Sequence, residues 1–405
     1  MPKIKVSDFG PIGSGYTRST DGFFDIPKVT LLCGTQGSGK SSIAKLVSVF
    51  TWLEKALVRG DFSEKELVQY NRFVKKYCAY QNIHNYFTDK TELGFKGEAY
   101  DFTFTDKCLD IKKLDGSGYK RPKIMYFPAE RNLMSAVSDP EKIRNLPSPL
   151  YSLLADFEMA KQSLRQKETL LPIGGVSFAY DKQNKISWIQ TSDYRIRLQE
   201  ASSGFQSLMP LFLVTQYLSD AIGEPKDPSR TTSSLVESRR VAEELERLLK
   251  DQKLSPEVRE ALLSKFIHAS VNSRFVNIVE EPEQNLYPAS QRSVLFDLLA
   301  CMNRNESNSL LMTTHSPYMI SWLTLAIKAR ALATAGVDDK DIEAVVPRGA
   351  WLAGNDTAVY QLSEKGEVEP LETYSGLPSD DNLLNGEITA GNELFSRLLD
   401  MQGSR

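Results

Sequence analysis

Between Gly34 and Ser41 the chain reads Gly-Thr-Gln-Gly-Ser-Gly-Lys-Ser, which sets an ammonium and a hydroxyl directly behind a glycine-rich turn. Glycines let successive backbone N–H groups turn inward on an anion, and a helix starting at the end of such a turn adds its partial positive charge. Lys40 is spaced to reach the β- and γ-phosphates of a nucleoside triphosphate, and the Ser41 hydroxyl to ligate Mg²⁺. Gly34, Gln36, Gly37, Ser38, Gly39 and Ser42 complete the candidate cradle. Three more stretches carry usable chemistry. Glu280 and Glu281 are adjacent acids directly after an apolar run over 275–279. In that setting Glu280 suits a metal shell and Glu281 the polarisation of an attacking water, whereas an exposed acidic turn is the plainer reading of Glu-Glu-Pro-Glu. His315, one of only three histidines, follows the apolar run ending in Thr313-Thr314, where an imidazole could meet a γ-phosphate oxygen or hold the water. Ser202-Ser203-Gly204-Phe205-Gln206 opens a helical pattern and offers a second anion-binding helix start, although Ser-Ser-Gly turns are common.

These groups need a frame to hold them. A β-rich run over 29–32 precedes the glycine turn, and Ile43, Leu46, Val47, Phe50, Leu53 and Leu57 recur at helical spacing after it, up to Gly60. Ser63 and Glu66 form a capping-box pattern before an amphipathic stretch that predicts a helix to about Tyr77. Strands are predicted over 4–9, within 22–32 on both sides of Pro27, over 98–105 and 108–111, and over 123–127. Residues 132–170 read as helix between loops, and 176–188 and 194–198 alternate as half-buried antiparallel strands. Strands over 275–279, 310–314, 357–362 and 368–371 are interleaved with helices over 290–302, 319–335 and 387–399. Two charged amphipathic helices, 234–251 and 255–270, make 221–272 a helical insertion. Strands alternating with helices predict an α/β core with a largely parallel sheet.

The chain has 405 residues, 41% hydrophobic and 25% charged, with a formal net charge of −3. That balance fits a globular protein and advertises no global basic field, so any nucleic-acid contact would be local, at clusters such as 72–76 or 239–240. The four cysteines are far apart in sequence and suggest reduced thiols rather than zinc or disulfides. With no apolar leader and no apolar run approaching the ~20 residues of a membrane span, a soluble cytoplasmic protein without a membrane partner is expected.

The order of the four stretches carries a resemblance. Residues 34–41 match a Walker A motif, 202–206 resemble a signature motif, 275–281 match Walker B, 283–288 a D-loop, and His315 a switch histidine. The chain thus resembles ABC-type ATPases of the SMC-like and OLD (overcoming-lysogenisation-defect) branch, to which the Glu-Glu-Pro-Glu-Gln-Asn-Leu-Tyr-Pro and Thr-Thr-His-Ser-Pro strings are specific. Glu280 stands where the usual motif has aspartate, Ser203 where many have glycine, and no glutamine occupies the Q-loop position near Glu130 and Arg131. The resemblance implies a single ABC-type P-loop domain over 1–405, with a mixed sheet and an antiparallel β-subdomain. Residues 51–120 and 132–172 would be branch-specific elements, 221–272 a helical insertion and 324–405 a C-terminal α/β extension. It implies ATP and Mg²⁺ as cofactors, Glu281 and His315 as catalytic residues, and a homodimer or higher homo-oligomer in which Ser203 and Gly204 of one copy close over the phosphate loop of another. After His315 only about ninety residues remain, short for the nuclease domain of OLD enzymes. Asp338-Asp339-Lys340-Asp341 and Asp380-Asp381 read as solvated turns and caps. Similar stand-alone ATPases occur in bacterial phage-defence systems such as PARIS, Septu and certain retrons, where the ATPase restrains or releases a toxic nuclease. The resemblance therefore implies an ATPase that regulates an effector encoded nearby. An SMC-like DNA-binding or DNA-repair ATPase is the alternative, and a transporter's nucleotide-binding subunit is a third.

Overall fold

The computed structural model describes residues 1–137, 139–164, 168–222 and 272–403. Its centre is a seven-stranded mixed sheet. Five neighbouring strands run parallel, in the order Thr357–Leu362, Val29–Gly34, Ser309–Thr314, Arg274–Glu280, Pro122–Phe127. Glu367–Pro370 joins antiparallel beside Thr357–Leu362, and Gly15–Tyr16 closes that edge. The strands Val29–Gly34 and Arg274–Glu280 are buried at every position, as strands covered on both faces must be.

The helix Lys40–Arg59 lies against one face of this sheet, with Ile43, Leu46, Phe50 and Leu53 in the core. It ends at Gly60, whose φ of 74° is left-handed. A five-stranded antiparallel sheet covers its far side, in the order Phe24–Asp25, Lys3–Phe9, Phe87–Lys96, Tyr100–Thr105, Cys108–Lys113. Phe50 stacks on Phe95 at 5.5 Å and on Phe73 at 5.4 Å across that seam. The buried carboxylate of Glu54 accepts the N–H groups of Glu98 and Ala99, both at 2.7 Å, and of Tyr100 at 3.2 Å, pinning the helix to the turn before Tyr100–Thr105. The other face of the central sheet is covered by the helices Ser148–Ser163, Ser203–Asp220, Pro288–Asn303 and Pro317–Thr334, with a small antiparallel sheet beside them.

Most predicted elements occur within a few residues of their expected ends. The capping box is present, with Ser63 Oγ accepting from the Glu66 N–H and the Glu66 carboxylate from the Ser63 N–H. The helix it opens, however, stops at Val68 rather than near Tyr77. Tyr70 and Asn71 take left-handed φ values of 55° and 53°, and a π-helical turn covers Phe73–Cys78. The break lets Phe73 enter the aromatic core against Phe50, Phe87 and Phe104, which a continuous helix would not present in the same way. The strand Phe87–Lys96 was not anticipated. The terminal helix is longer than expected, Leu383–Gly403. Most of the predicted insertion, including both charged helices and Arg239–Arg240, lies outside the described residues.

Candidate functional site

Parallel pairing puts the candidate groups at one end of the sheet. Cys33 is in register with Thr314, and Thr313 with Glu280, so the phosphate loop, His315 and Glu281 leave three adjacent strands at their carboxyl ends. Crevices beyond the carboxyl ends of parallel strands are where such sheets bind ligands.

The loop needs its glycines at two positions in particular. Gly34 has φ 141°, and a Cβ there would lie 2.2 Å from the Leu362 carbonyl oxygen. Gly39, the residue before the helix, has φ 100°, and its Cβ would meet Ile12 at 2.5 Å. Lys40 is buried and folds back on the loop, donating to the carbonyl oxygens of Gly34 at 2.9 Å and Thr35 at 2.6 Å, with Ser38 Oγ at 3.5 Å. Ser38 Oγ donates to the Thr35 carbonyl at 2.9 Å, tightening the same turn. Gln36 and Gly37 are exposed at its tip, Ser41 is half-buried at the helix start, and Ser42 is buried beneath it.

Burial pushes the Lys40 ammonium down to about 8, only partly offset by Cys33, Glu281 and Glu283. A bound polyphosphate would favour the charged form and raise that value, so above pH 8 binding should take up a proton. ATP affinity is accordingly expected to fall as pH rises from 8. Titration calorimetry at pH 8.5, in two buffers of different ionisation enthalpy, reads the uptake; a heat independent of buffer would refute it.

Glu281 is turned off the end of its strand by a left-handed backbone, φ 45°, unusual for a residue with a Cβ. Its N–H donates to the Thr313 carbonyl at 3.0 Å, and its carboxylate comes within 3.8 Å of His315 Nε2. The two residues picked out as a catalytic pair are therefore neighbours, each about one-third exposed. Burial and the Lys40 charge hold the His315 imidazole below its ordinary value against the pull of Glu281, which keeps it neutral at pH 7. Glu283 fixes the end of the histidine strand by accepting from Thr314 Oγ1 at 2.7 Å and from the His315 N–H at 2.8 Å.

Glu280 faces the other way and is buried. One carboxylate oxygen accepts from the Tyr126 hydroxyl, the other from the Ala129 N–H at 3.1 Å. Each oxygen keeps an acceptor site beyond the one engaged. Among the described residues no group of three or more His, Cys, Asp and Glu could hold a metal alone. A hydroxyl and a hydrogen-bonded carboxylate fit Mg²⁺, a hard ion that keeps several waters and takes phosphate oxygens as ligands. Ser41 and Glu280 would hold it, and it would neutralise charge on the phosphates.

Ser203 begins its helix exposed, and Gly204 packs so closely on the 283–287 loop that a Cβ would lie 2.7 Å from the Asn285 carbonyl oxygen. Asn285 Nδ2 donates to Ser207 Oγ at 3.3 Å, and Ser207 Oγ to Gln284 at 3.4 Å. The side chain of Gln206 turns back to the carbonyls of Gln199 and Ala201, both at 3.0 Å. This helix start is thus tied to the acidic loop, and among the described residues the side-chain bonds of Gln206 and Ser207 run within the helix start and to that loop.

Sequence reasoning left Arg131 without a role. Its fully buried guanidinium donates to the carbonyl oxygens of Glu280 and Glu281, both at 2.6 Å, of Ser207 at 3.2 Å and of Pro128 at 3.4 Å. All four of these acceptors are backbone oxygens. Tyr126 was also missed as the partner of Glu280, although its place at the end of a core strand beside the acidic one hinted at it. Glu130 is exposed. Of the basic cluster at 72–76, Lys75 and Lys76 are exposed on the π-helical turn, away from these strand ends in sequence.

No family model matches the chain, and no curated protein matches it. Among solved structures it is similar to an SMC head bound to the C-terminal winged-helix domain of ScpA, with 10% identity and a TM-score of 0.36 over 92% of this chain and 98% of that one. It is likewise similar to the SMC head domain from Thermotoga maritima, with 12% identity, a TM-score of 0.36 and the same coverage of both chains. No helix among the described residues is long and apolar enough to cross a membrane. On its own strand order, with a glycine loop and helix following the second of five parallel strands and an antiparallel sheet laid over that helix, the chain has an α/β P-loop fold.

Proposed function

We propose that the chain is an ATP-binding and hydrolysing regulatory subunit, and that its ATP-driven dimerisation controls an effector protein, a toxic nuclease, in bacterial anti-phage defence. The observation that carries the catalytic part is the convergence of Lys40, Glu281 and His315 at the ends of three neighbouring strands. In this reading the loop N–H groups and Lys40 bind the phosphates, Ser41 and Glu280 hold Mg²⁺, Glu281 takes a proton from the attacking water, and neutral His315 orients it. The assembly part is supported by the exposed Ser203 helix start, where the side chain of Gln206 turns back to the carbonyls of Gln199 and Ala201 rather than to the phosphate loop. A second copy would supply it, so that ATP occupancy stabilises the paired state and hydrolysis releases it.

Lys40→Ala is expected to weaken Mg·ATP binding by about 2 kcal/mol, roughly thirtyfold, by removing a charged donor. Titration calorimetry checks this, and unchanged affinity would remove the basis of the reading. Complementation tests the composite site. Lys40→Ala and Ser203→Arg chains should each be inactive alone, yet regain ATPase activity when mixed, because the mixed pair has one intact site. A mixture as inactive as its components would refute a site shared between copies. The effector role predicts that a nuclease encoded beside this chain is toxic when released on infection, and that Lys40→Ala abolishes this response; a response unaltered by Lys40→Ala would exclude ATP control.

A further inference from the structure

The terminal helix Leu383–Gly403 carries an apolar face that no described residue covers. It starts firmly: Asn382 Oδ1 accepts the N–H groups of Leu384 at 3.1 Å and Asn385 at 3.0 Å, and the Leu383 N–H reaches Gln361 Oε1 at 2.8 Å. Leu384 packs against the core, but every residue over 386–402 is exposed. Within that stretch Ile388, Leu394, Phe395, Leu398, Leu399 and Met401 are each exposed by between 50% and 63%.

The spacing says what kind of surface fits. Leu384, Ile388, Gly391, Phe395 and Leu398 follow one another at intervals of four, three, four and three, the seam of one helix lying along another. Leu394, Leu399 and Met401 widen that seam into a face, which Glu387 and Asn392 flank one heptad earlier, while Glu393, Ser396 and Asp400 lie on the opposite side. An unpartnered face of this size on a globular domain marks an interaction site.

We propose that the face binds the same helix of a second copy, antiparallel and without nucleotide. A two-fold axis passing beside residue 393 sets Ile388 against Leu398 and Gly391 against Phe395. The two central layers are then matched, branched aliphatic against branched aliphatic and no side chain against a ring, while Leu384 meets Gln402 at the end of the seam. A self-complementary face of this kind closes as a two-fold dimer and leaves nothing over for filaments. The six exposed apolar side chains offer on the order of 600 Å² per copy, so a pair buries about 1,200 Å², above the roughly 1,000 Å² expected of a specific interface. The helix starts beside Gln361, in the strand next to that of the phosphate loop, so pairing holds two copies together by the sheet that carries the candidate site. The second phosphate loop is then at high effective concentration before any ATP binds. The pairing does not rest on the triphosphate reading, since it needs neither Lys40 nor nucleotide.

Sedimentation velocity of the full chain without nucleotide tests it. At about 10 μM, above the micromolar weak end of the range that standard-size interfaces span, the unaltered chain should be dimeric and Phe395→Glu/Leu398→Glu monomeric. Circular dichroism and ATP binding should be unchanged in the variant, because both residues are exposed. Gly391→Leu should weaken the dimer at least tenfold by crowding Phe395, and Gly391→Leu/Phe395→Ala should restore it. A monomeric unaltered chain would overturn the proposal and give the face to another protein. So would a charge variant that stays dimeric, or a Gly391→Leu chain that dimerises more tightly, as a parallel pairing with residue 391 against its own copy would make it.

Discussion

Glu281→Gln is expected to lower ATP turnover by about two to three orders of magnitude, the range of a lost general base, while ATP affinity stays within about threefold. The amide keeps the size of the side chain and the backbone that turns it off the strand, but it cannot accept a proton from water. Its position makes the loss specific. The carboxylate stands 3.8 Å from the His315 imidazole, at the end of the strand beside the phosphate-loop strand, and in the proposed reading it would meet the water rather than the phosphate chain. Because binding survives and hydrolysis does not, the ATP-bound assembly should accumulate and outlast dilution. Single-turnover hydrolysis and sedimentation with ATP read the two effects separately, and a variant that hydrolyses ATP at the unaltered rate would remove Glu281 from the role of base.

The parts of this site that are legible in the sequence are those set by local rules. The core strands Val29–Gly34, Arg274–Glu280 and Ser309–Thr314 are short apolar runs ended by glycine, acid or histidine, and burial on both faces leaves no room for another pattern. The helix Lys40–Arg59 is bracketed by Gly39 and Gly60, both left-handed, so its ends are written in residues that tolerate that backbone. The candidate groups therefore come together because register in a parallel sheet aligns strand ends whose sequences are some 240 to 285 residues apart.

What escapes the sequence is set by partners far along the chain. Leu67, Val74 and Cys78 keep helical spacing, yet Tyr70 and Asn71 break the helix with no glycine or proline to announce it, because Phe73 is claimed by rings on three other elements. In Phe87–Lys96 the residues from Thr88 to Lys90 are exposed and polar, and the strand is held by pairing with Lys3–Phe9, about eighty residues earlier. Only alternation that faces a core on one side reads as a strand, and here it begins late. Arg131 is the plainest case: its residue type suggests a phosphate, whereas its acceptors are four backbone oxygens that no side-chain motif encodes.

Arg131→Met is therefore expected to cost on the order of 3 kcal/mol of stability, since a buried, charged, multiply bonded donor is replaced by a side chain of similar length with none. Chemistry should suffer too. The left-handed backbone at Glu281 costs energy and persists only where its surroundings hold it, and Arg131 grips the carbonyls on both sides of that turn, Glu280 and Glu281. The same guanidinium reaches the Ser207 carbonyl, so it also ties the acidic loop to the helix that begins at Ser203. Without it the carboxylate relaxes from its place beside His315, and a displacement of about 1 Å is worth roughly a hundredfold in rate. Lys40 and the phosphate loop make no bond to Arg131, so ATP affinity should change by less than about threefold, within the effect of one weak contact. Arg131→Lys should not rescue turnover, because one ammonium cannot reproduce a planar fork across two carbonyls and the helix. Chemical denaturation and steady-state ATPase assays with both variants check the pair of effects. If Arg131→Lys restored full turnover, charge alone would suffice; if Arg131→Met lost stability but kept its rate, Arg131 would hold the fold without positioning Glu281.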